Sequence, residues 1–206
     1  MRLSIYGRLI LLATCLFAGA SAWGQQSQTQ STESAVALDV AVVYNPLSAN
    51  AVGGHQFWMQ GGSVQALGQC WPRLHGQFWR RLGVVADVSG FHVAHMSASR
   101  PGLDLVTASF GPRYTWSEPH RRYDFFGQVL VGHASGMNSV FPTSTGTVAS
   151  ADSVALYMGG GANIRLSPRL AVRAFEADWL YTQTPNGITG VQNSLRLGMG
   201  LIYKFK

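Results

Sequence analysis

Lysine is nearly missing from this chain, and charge of either sign is scarce. The lysines are Lys204 and Lys206, and Asp, Glu, Lys and Arg together make up 12% of the 206 residues. Soluble domains average about 25%, so a surface of ordinary charge density facing water is excluded. Cysteine is confined to Cys15 and Cys70. Long apolar runs are also lacking, because beyond the N-terminus nothing approaches the roughly 20 apolar residues of a spanning helix. What remains is a chain that is 47% hydrophobic, with 24 glycines, in which the apolar residues are spread rather than massed.

The one massed run is Leu9 to Ala18, preceded by Arg2 and Arg8 and followed by Gly19-Ala20-Ser21-Ala22. A basic start, a short apolar stretch and small residues make a secretory signal peptide over residues 1–22. Cleavage is expected after Ala22, with Gly24 as the alternative. Removal takes Cys15 away, leaving Cys70 with no intramolecular partner even in an oxidising compartment. It also lowers the formal charge from +6 to +4, a spread-out excess that does not argue for nucleic acid. Residues 23–34, rich in Gln, Ser and Thr, form a flexible polar leader. One domain is expected over residues 35–206.

Within that domain the hydrophobic period is two. In the last stretch, Leu195, Leu197, Met199, Leu201, Tyr203 and Phe205 alternate with Arg196, Gly198, Gly200, Ile202, Lys204 and Lys206. Strand side chains alternate between faces, so one face is wholly apolar and the other small or cationic. The same alternation runs through Ala35 to Asn45, where Asn45-Pro46 should end the strand. It returns, less clearly, between Phe57 and Trp71, and then from Arg81 to Ser89. It continues from Val106 to Trp116, from Tyr123 to His133 and from Ser153 to Leu166. Pro112 lacks an amide proton, which predicts a bulge or strand end there. Between Leu170 and Thr182 parity breaks: Arg173 is odd, whereas Glu176 and Asp178 are even. A bulge near Ala174 would bring all three to one face. Ala134 to Ser150, made of Ser, Thr, Gly and Asn, reads as the longest loop.

These stretches make eight strands. The two faces acquire a sign from the charges and the aromatics. If the charged rows faced water, Tyr44, Phe110, Tyr114, Trp116, Phe125, Tyr203 and Phe205 would overfill an eight-stranded interior, which is only wide enough to be packed with side chains. The reverse arrangement works, with aromatics to lipid and glycine-rich rows inside. The expected fold is therefore all-β, an eight-stranded antiparallel up-and-down transmembrane β-barrel. An even count places both termini at one end, expected to be periplasmic. Shorter turns bearing Arg73, Arg80, Arg121, Arg122 and Arg169 would lie there, with long uncharged loops outside. By parity the lumen then holds Asp39, Asp87, Glu176 and Asp178 against Arg81, Arg113, Arg165, Arg173 and Arg196. Buried ions must be paired, so a plug of salt bridges is expected, with a narrow pore for small solutes as the alternative.

The pattern resembles the outer-membrane β-barrel domain family, the OmpA-like small barrels, over roughly residues 35–206. Leu82 to Gly90, Gly111-Pro112-Arg113-Tyr114, Phe126-Gly127-Gln128-Val129-Leu130, and Ala174 to Gln183 running through Pro185-Asn186-Gly187 carry the resemblance. It implies residence in a bacterial outer membrane among lipids and lipopolysaccharide, probing of the terminal Tyr203 and Phe205 by the barrel-assembly machinery, and a role in structure or surface interaction. A monomer without cofactor is expected. His133-Ala134-Ser135 resembles the His-x-Ser pair of outer-membrane lipid A deacylases, and both residues share the outward face. A Ser–His hydrolase needs a third group to orient the histidine, and Asp152 reads as inward by parity, so no catalysis is expected. His92 and His95, three apart, fall on opposite faces with no acid converging on them, which argues against a metal.

Overall fold

The computed structural model describes residues 38–50, 56–69, 77–95, 102–118, 120–143, 146–184 and 190–205. The signal peptide, the polar leader, Cys70, Arg73, Arg100, the Pro185-Asn186-Gly187 turn and Lys206 lie outside them. Nine strand segments and one short helix follow in order: β1 (Leu38–Tyr44), β2 (Leu47–Asn50), β3 (Gln56–Gly68), α1 (Gln77–Arg81), β4 (Leu82–Val93), β5 (Leu103–Ser117), β6 (Tyr123–Thr143), β7 (Gly146–Arg165), β8 (Leu170–Thr182) and β9 (Gln192–Phe205). Segments β1 and β2 both pair with β3 on one side and β9 on the other, so they are two halves of one stave. The result is a closed, eight-staved antiparallel barrel. Its seam runs from Leu38 opposite Phe205 to Tyr44 opposite Met199, and closure leaves the sheet without free edges along this seam.

Asn45-Pro46 therefore interrupts the first stave instead of ending it. Pro46 has no amide proton for the ladder, yet its carbonyl accepts from Leu197 N at 3.0 Å, while Asn45 N donates to Gly61 O at 2.8 Å. The chain crosses the gap still held on both sides. Pro112 produces neither bulge nor strand end. It sits opposite Val84 in an unbroken β5, and the ladder to β6 lapses at Gly111 and Pro112 with its register unchanged. The bulge at Ala174 is present. Phe175 faces Ala162 and Arg173 faces Asn163, so Ala174 is the extra residue, and the β8–β9 register shifts at the same place.

Alternation sets which face is which. Val42, Phe110, Met199 and Leu201 point outward, Phe110 with 63% of its surface exposed. On β6 the apolar outward row runs from Tyr123 to Val131, nine residues, the length of a tilted membrane-crossing strand of about 9–11 residues. An apolar belt around a closed sheet is stable only in lipid, which makes this a transmembrane barrel. The stretch Ala134 to Ser150 is largely strand and not loop: β6 and β7 pair on to Thr143 and Gly146 across a register shift between Met137 and Phe141. Its Ser, Thr and Val residues suit a strand in water as well as a loop does, and Ala134 and Phe141 turn inward to anchor it.

Candidate functional site

The lumen is layered. Ala41, Val43, Ala171 and Ile202 form a small apolar cluster toward the end that carries the termini. At the distal end Leu47, Ala49, Met59, Phe91, Leu103, Leu105, Phe141 and Leu180 belong to a larger one. Between them lie Asp87, Arg113, Arg173, Glu176, Asp178 and Arg196, each nearly or fully buried. Three acids face three guanidinium groups.

Arg196 is the hub and has no exposed surface. Its Nη1 donates to Asp87 Oδ2 at 3.0 Å, and its Nη2 donates to Asp178 Oδ2 at 2.6 Å and Glu176 Oε1 at 3.1 Å. The Ser89 hydroxyl takes a further bond from Nη1 at 3.0 Å. Its guanidinium also lies 4.4 Å from the centre of the Tyr157 ring, a contact that holds the cation without adding charge. Arg173 donates from Nη1 to Glu176 Oε2 at 2.6 Å. The Ala174 bulge makes this pairing: without the extra residue, Arg173 and Glu176, three apart on a strand, would point to opposite faces.

Arg113 touches no carboxylate directly. It donates to Gln65 Oε1 at 2.6 Å and, from Nε, to Gln128 Oε1 at 2.9 Å. The amide nitrogens of those glutamines carry the connection onward. Gln65 Nε2 donates to Asp87 at 2.8 Å and Glu176 at 3.0 Å, and Gln128 Nε2 donates to Glu176 at 2.9 Å and Asp178 at 3.0 Å. An amide accepts at one end and donates at the other, so each glutamine passes the positive side of the cluster to the negative side. Phe126 lies beneath Arg113 and Arg173, at 4.3 and 4.8 Å from its ring centre. Glycine makes the room. A Cβ on Gly159 would fall 2.1 Å from Ala177 O and 2.4 Å from Asp178 Oδ1, and one on Gly198 would fall 2.8 Å from Asn45 Oδ1.

The other lumen charges inferred by parity lie apart from this cluster. Asp39 faces Lys204 at 3.7 Å, and Arg165 donates to Asp124 Oδ1 at 3.0 Å and to the carbonyls of Glu118 and Arg121. Both pairs lie toward the end with the termini. Arg81 closes α1, where strand parity does not yet apply, and joins none of the buried ion pairs among the described residues. Gln65 and Gln128 stand on the inward rows of β3 and β6. The signal for them is a long amide on an inward row, Gln65 between Ser63 and Leu67 and Gln128 between Phe126 and Leu130. Tyr203 and Phe205 point outward at the seam, with ring centres 4.8 Å apart.

On the outer wall, His133 and Ser135 lie on β6, and Asp152 on β7 is exposed and not inward. Its even position matches the outward row of Val154 and Met158. Asp152 stands opposite Ser135, and its Oδ1 is 3.4 Å from His133 Nε2. An acid also meets His92: Asp104, its cross-strand partner, lies 2.5 Å from Nδ1. Both pairs stand on the wall beyond the apolar rows of their strands. No group of three or more metal-ligating side chains occurs among the described residues.

No protein-family model matches the chain, and no curated protein matches it in sequence. Solved structures do match in fold. Neisserial surface protein A is similar with a TM-score of 0.59 at 14% identity, covering 82% of this chain and 99% of that one. Ail, the attachment invasion locus protein of Yersinia pestis, is similar with a TM-score of 0.53 at 12% identity, covering 82% and 99%. At such identities the shared property is the fold, that of small eight-stranded outer-membrane barrels.

Proposed function

We propose that this chain is a bacterial outer-membrane barrel whose lumen is closed by a neutralised charge cluster, with a role in envelope structure or surface interaction and not in transport or catalysis. The observation that carries the reading is Arg196, fully buried and held by Asp87, Glu176 and Asp178 at once. Ions in such contact, between two apolar layers, leave no continuous polar path for a solute. Both termini are assigned to the periplasm. At their end β5–β6 and β7–β8 join through short connections, 118–122 and 166–169, with α1 in the longer β3–β4 connection, and the barrel extends at the other end into the β6–β7 hairpin, as in barrels with short periplasmic turns and long outer loops.

Planar-bilayer recording tests the closure. The barrel is expected to give no reproducible conductance steps, and steps that disappear when Gly159 is replaced by Val would establish a pore instead. Catalysis is a second reading, favoured by the 3.4 Å approach of Asp152 to His133 on the face shared with Ser135. Against it, His133 and Asp152 are both about two-thirds exposed, and among the described residues no hydrogen bond joins Ser135 to His133. Lipid A acylation is expected to be the same with and without the barrel. A change abolished by Ser135→Ala would make it an enzyme.

A further inference from the structure

Outside the central cluster, cationic side chains collect at the end that carries the termini. Three acids stand there among the described residues, and each is spoken for: Asp39 by Lys204, Glu118 by Arg121 and Asp124 by Arg165. Arg80, Arg81, Arg122 and Arg169 are left with no ion pair among the described residues. The distal end holds no Lys or Arg among the described residues.

Beside two of these arginines, α1 lays a run of rings along the outer wall. The Phe78 ring centre lies 5.4 Å from Trp79 and 5.3 Å from Tyr114, which in turn lies 4.8 Å from Trp116. Tyr114 and Trp116 belong to the outward row of β5, so α1 rests on the lipid side of the wall and does not cover the mouth of the lumen. Phe78 remains 55% exposed and Trp79 41%. Rings at the edge of an apolar belt sit at the headgroup boundary, and a short helix with rings on one side and arginines in its last turn lies in that plane.

We propose that α1, with Tyr114 and Trp116, binds the headgroup of an anionic phospholipid in the leaflet at this end. The rings pack on the glycerol and the upper acyl chains, and Arg80 and Arg81 take the phosphate, which guanidinium matches with paired donors. Charge selects this occupant over a second copy of the chain, which would bring the same unpaired arginines face to face. That the leaflet is the inner one rests on the orientation proposed above.

The full barrel, purified in detergent and mixed with equal amounts of phosphatidylglycerol and phosphatidylcholine, is examined by native mass spectrometry. Retention of phosphatidylglycerol over phosphatidylcholine is expected. Each arginine near a charged headgroup is worth about fivefold, so Arg80→Gln lowers the preference about fivefold and Arg80→Gln with Arg81→Gln about 25-fold. Heat-modifiable gel mobility should stay native in both variants, separating lost binding from lost folding. Phe78→Ala with Trp79→Ala should reduce retention of both lipids and leave their ratio alone. Equal retention of the two lipids by the native barrel, an unchanged preference in the double arginine variant, or unchanged retention in the double ring variant overturns the proposal. Displacement of phosphatidylglycerol by equimolar lipopolysaccharide overturns it as well, by assigning the surface to the other leaflet. None of these results bears on closure of the lumen, which conductance measures.

Discussion

Midway along the lumen, Asp178 and Ser89 hold Arg196; two residues farther along the same faces of β8 and β4, Leu180 and Phe91 belong to a hydrocarbon core with Leu47, Met59 and Leu105. The same narrow space is filled by two chemistries. In the charged layer each group is held by several others, and the two glutamines join all six ions into one network. In the distal layer each side chain only fills volume. The difference lies in what happens when one member goes. A missing methyl group leaves a void, whereas a missing guanidinium leaves carboxylates buried without a counter-ion.

Removing the hub is the most severe way to break this comparison. Arg196→Met leaves Asp87 and Asp178 without a counter-ion, while Glu176 keeps Arg173, and loss of one partner of a buried pair costs about 3–5 kcal/mol. Urea unfolding in lipid vesicles, followed by tryptophan fluorescence, should show a loss of that size; a loss under about 1 kcal/mol would mean that the acids are already neutral or hydrated. Met59→Ala in the distal layer should follow at about 2–5 kcal/mol, the cost of a cavity, with no change in ionic-strength dependence. If salt altered that cost, the two layers would not be chemically separate.

Smaller effects sharpen the contrast. Gly159→Ala puts a methyl against Ala177 O and the Asp178 carboxylate, and overpacking of this kind costs about 1–3 kcal/mol. A fully native urea midpoint in that variant would show that the lumen has slack. Last, Gln65→Leu and Gln128→Leu should not add. Both amides donate to Glu176 and accept from Arg113, so a double-mutant cycle should return a coupling of about 0.5–3 kcal/mol. Strict additivity would reduce the network to a set of independent pairs.

Where the structure departs from the expectations, topology overrides local chemistry. Ala134 to Ser150 has loop composition, but Ala134 and Phe141 face inward, and their burial draws the hairpin out as strand. Asn45-Pro46 is a stop signal that neighbouring carbonyls and amides bridged. Arg81 carried the parity of a strand that had not yet begun. Asp152, expected inside, stands outward on the even row of β7 with Val154 and Met158. The Ala174 bulge, by contrast, was readable because only one extra residue could bring Arg173, Glu176 and Asp178 to the same side as the rest of their row.

The sequence by itself determined the period, the number of staves and which rows meet lipid. Those follow from strand geometry and from the cost of placing charge or rings on the wrong face. Only the tertiary structure decided which acid holds which arginine. Those partners are up to 109 residues apart, and their meeting depends on the stagger between staves, to which alternation within one strand is blind. It also decided that two glutamines complete the network and that α1 lies on the outer wall beside Tyr114, because each depends on how neighbouring staves are set side by side.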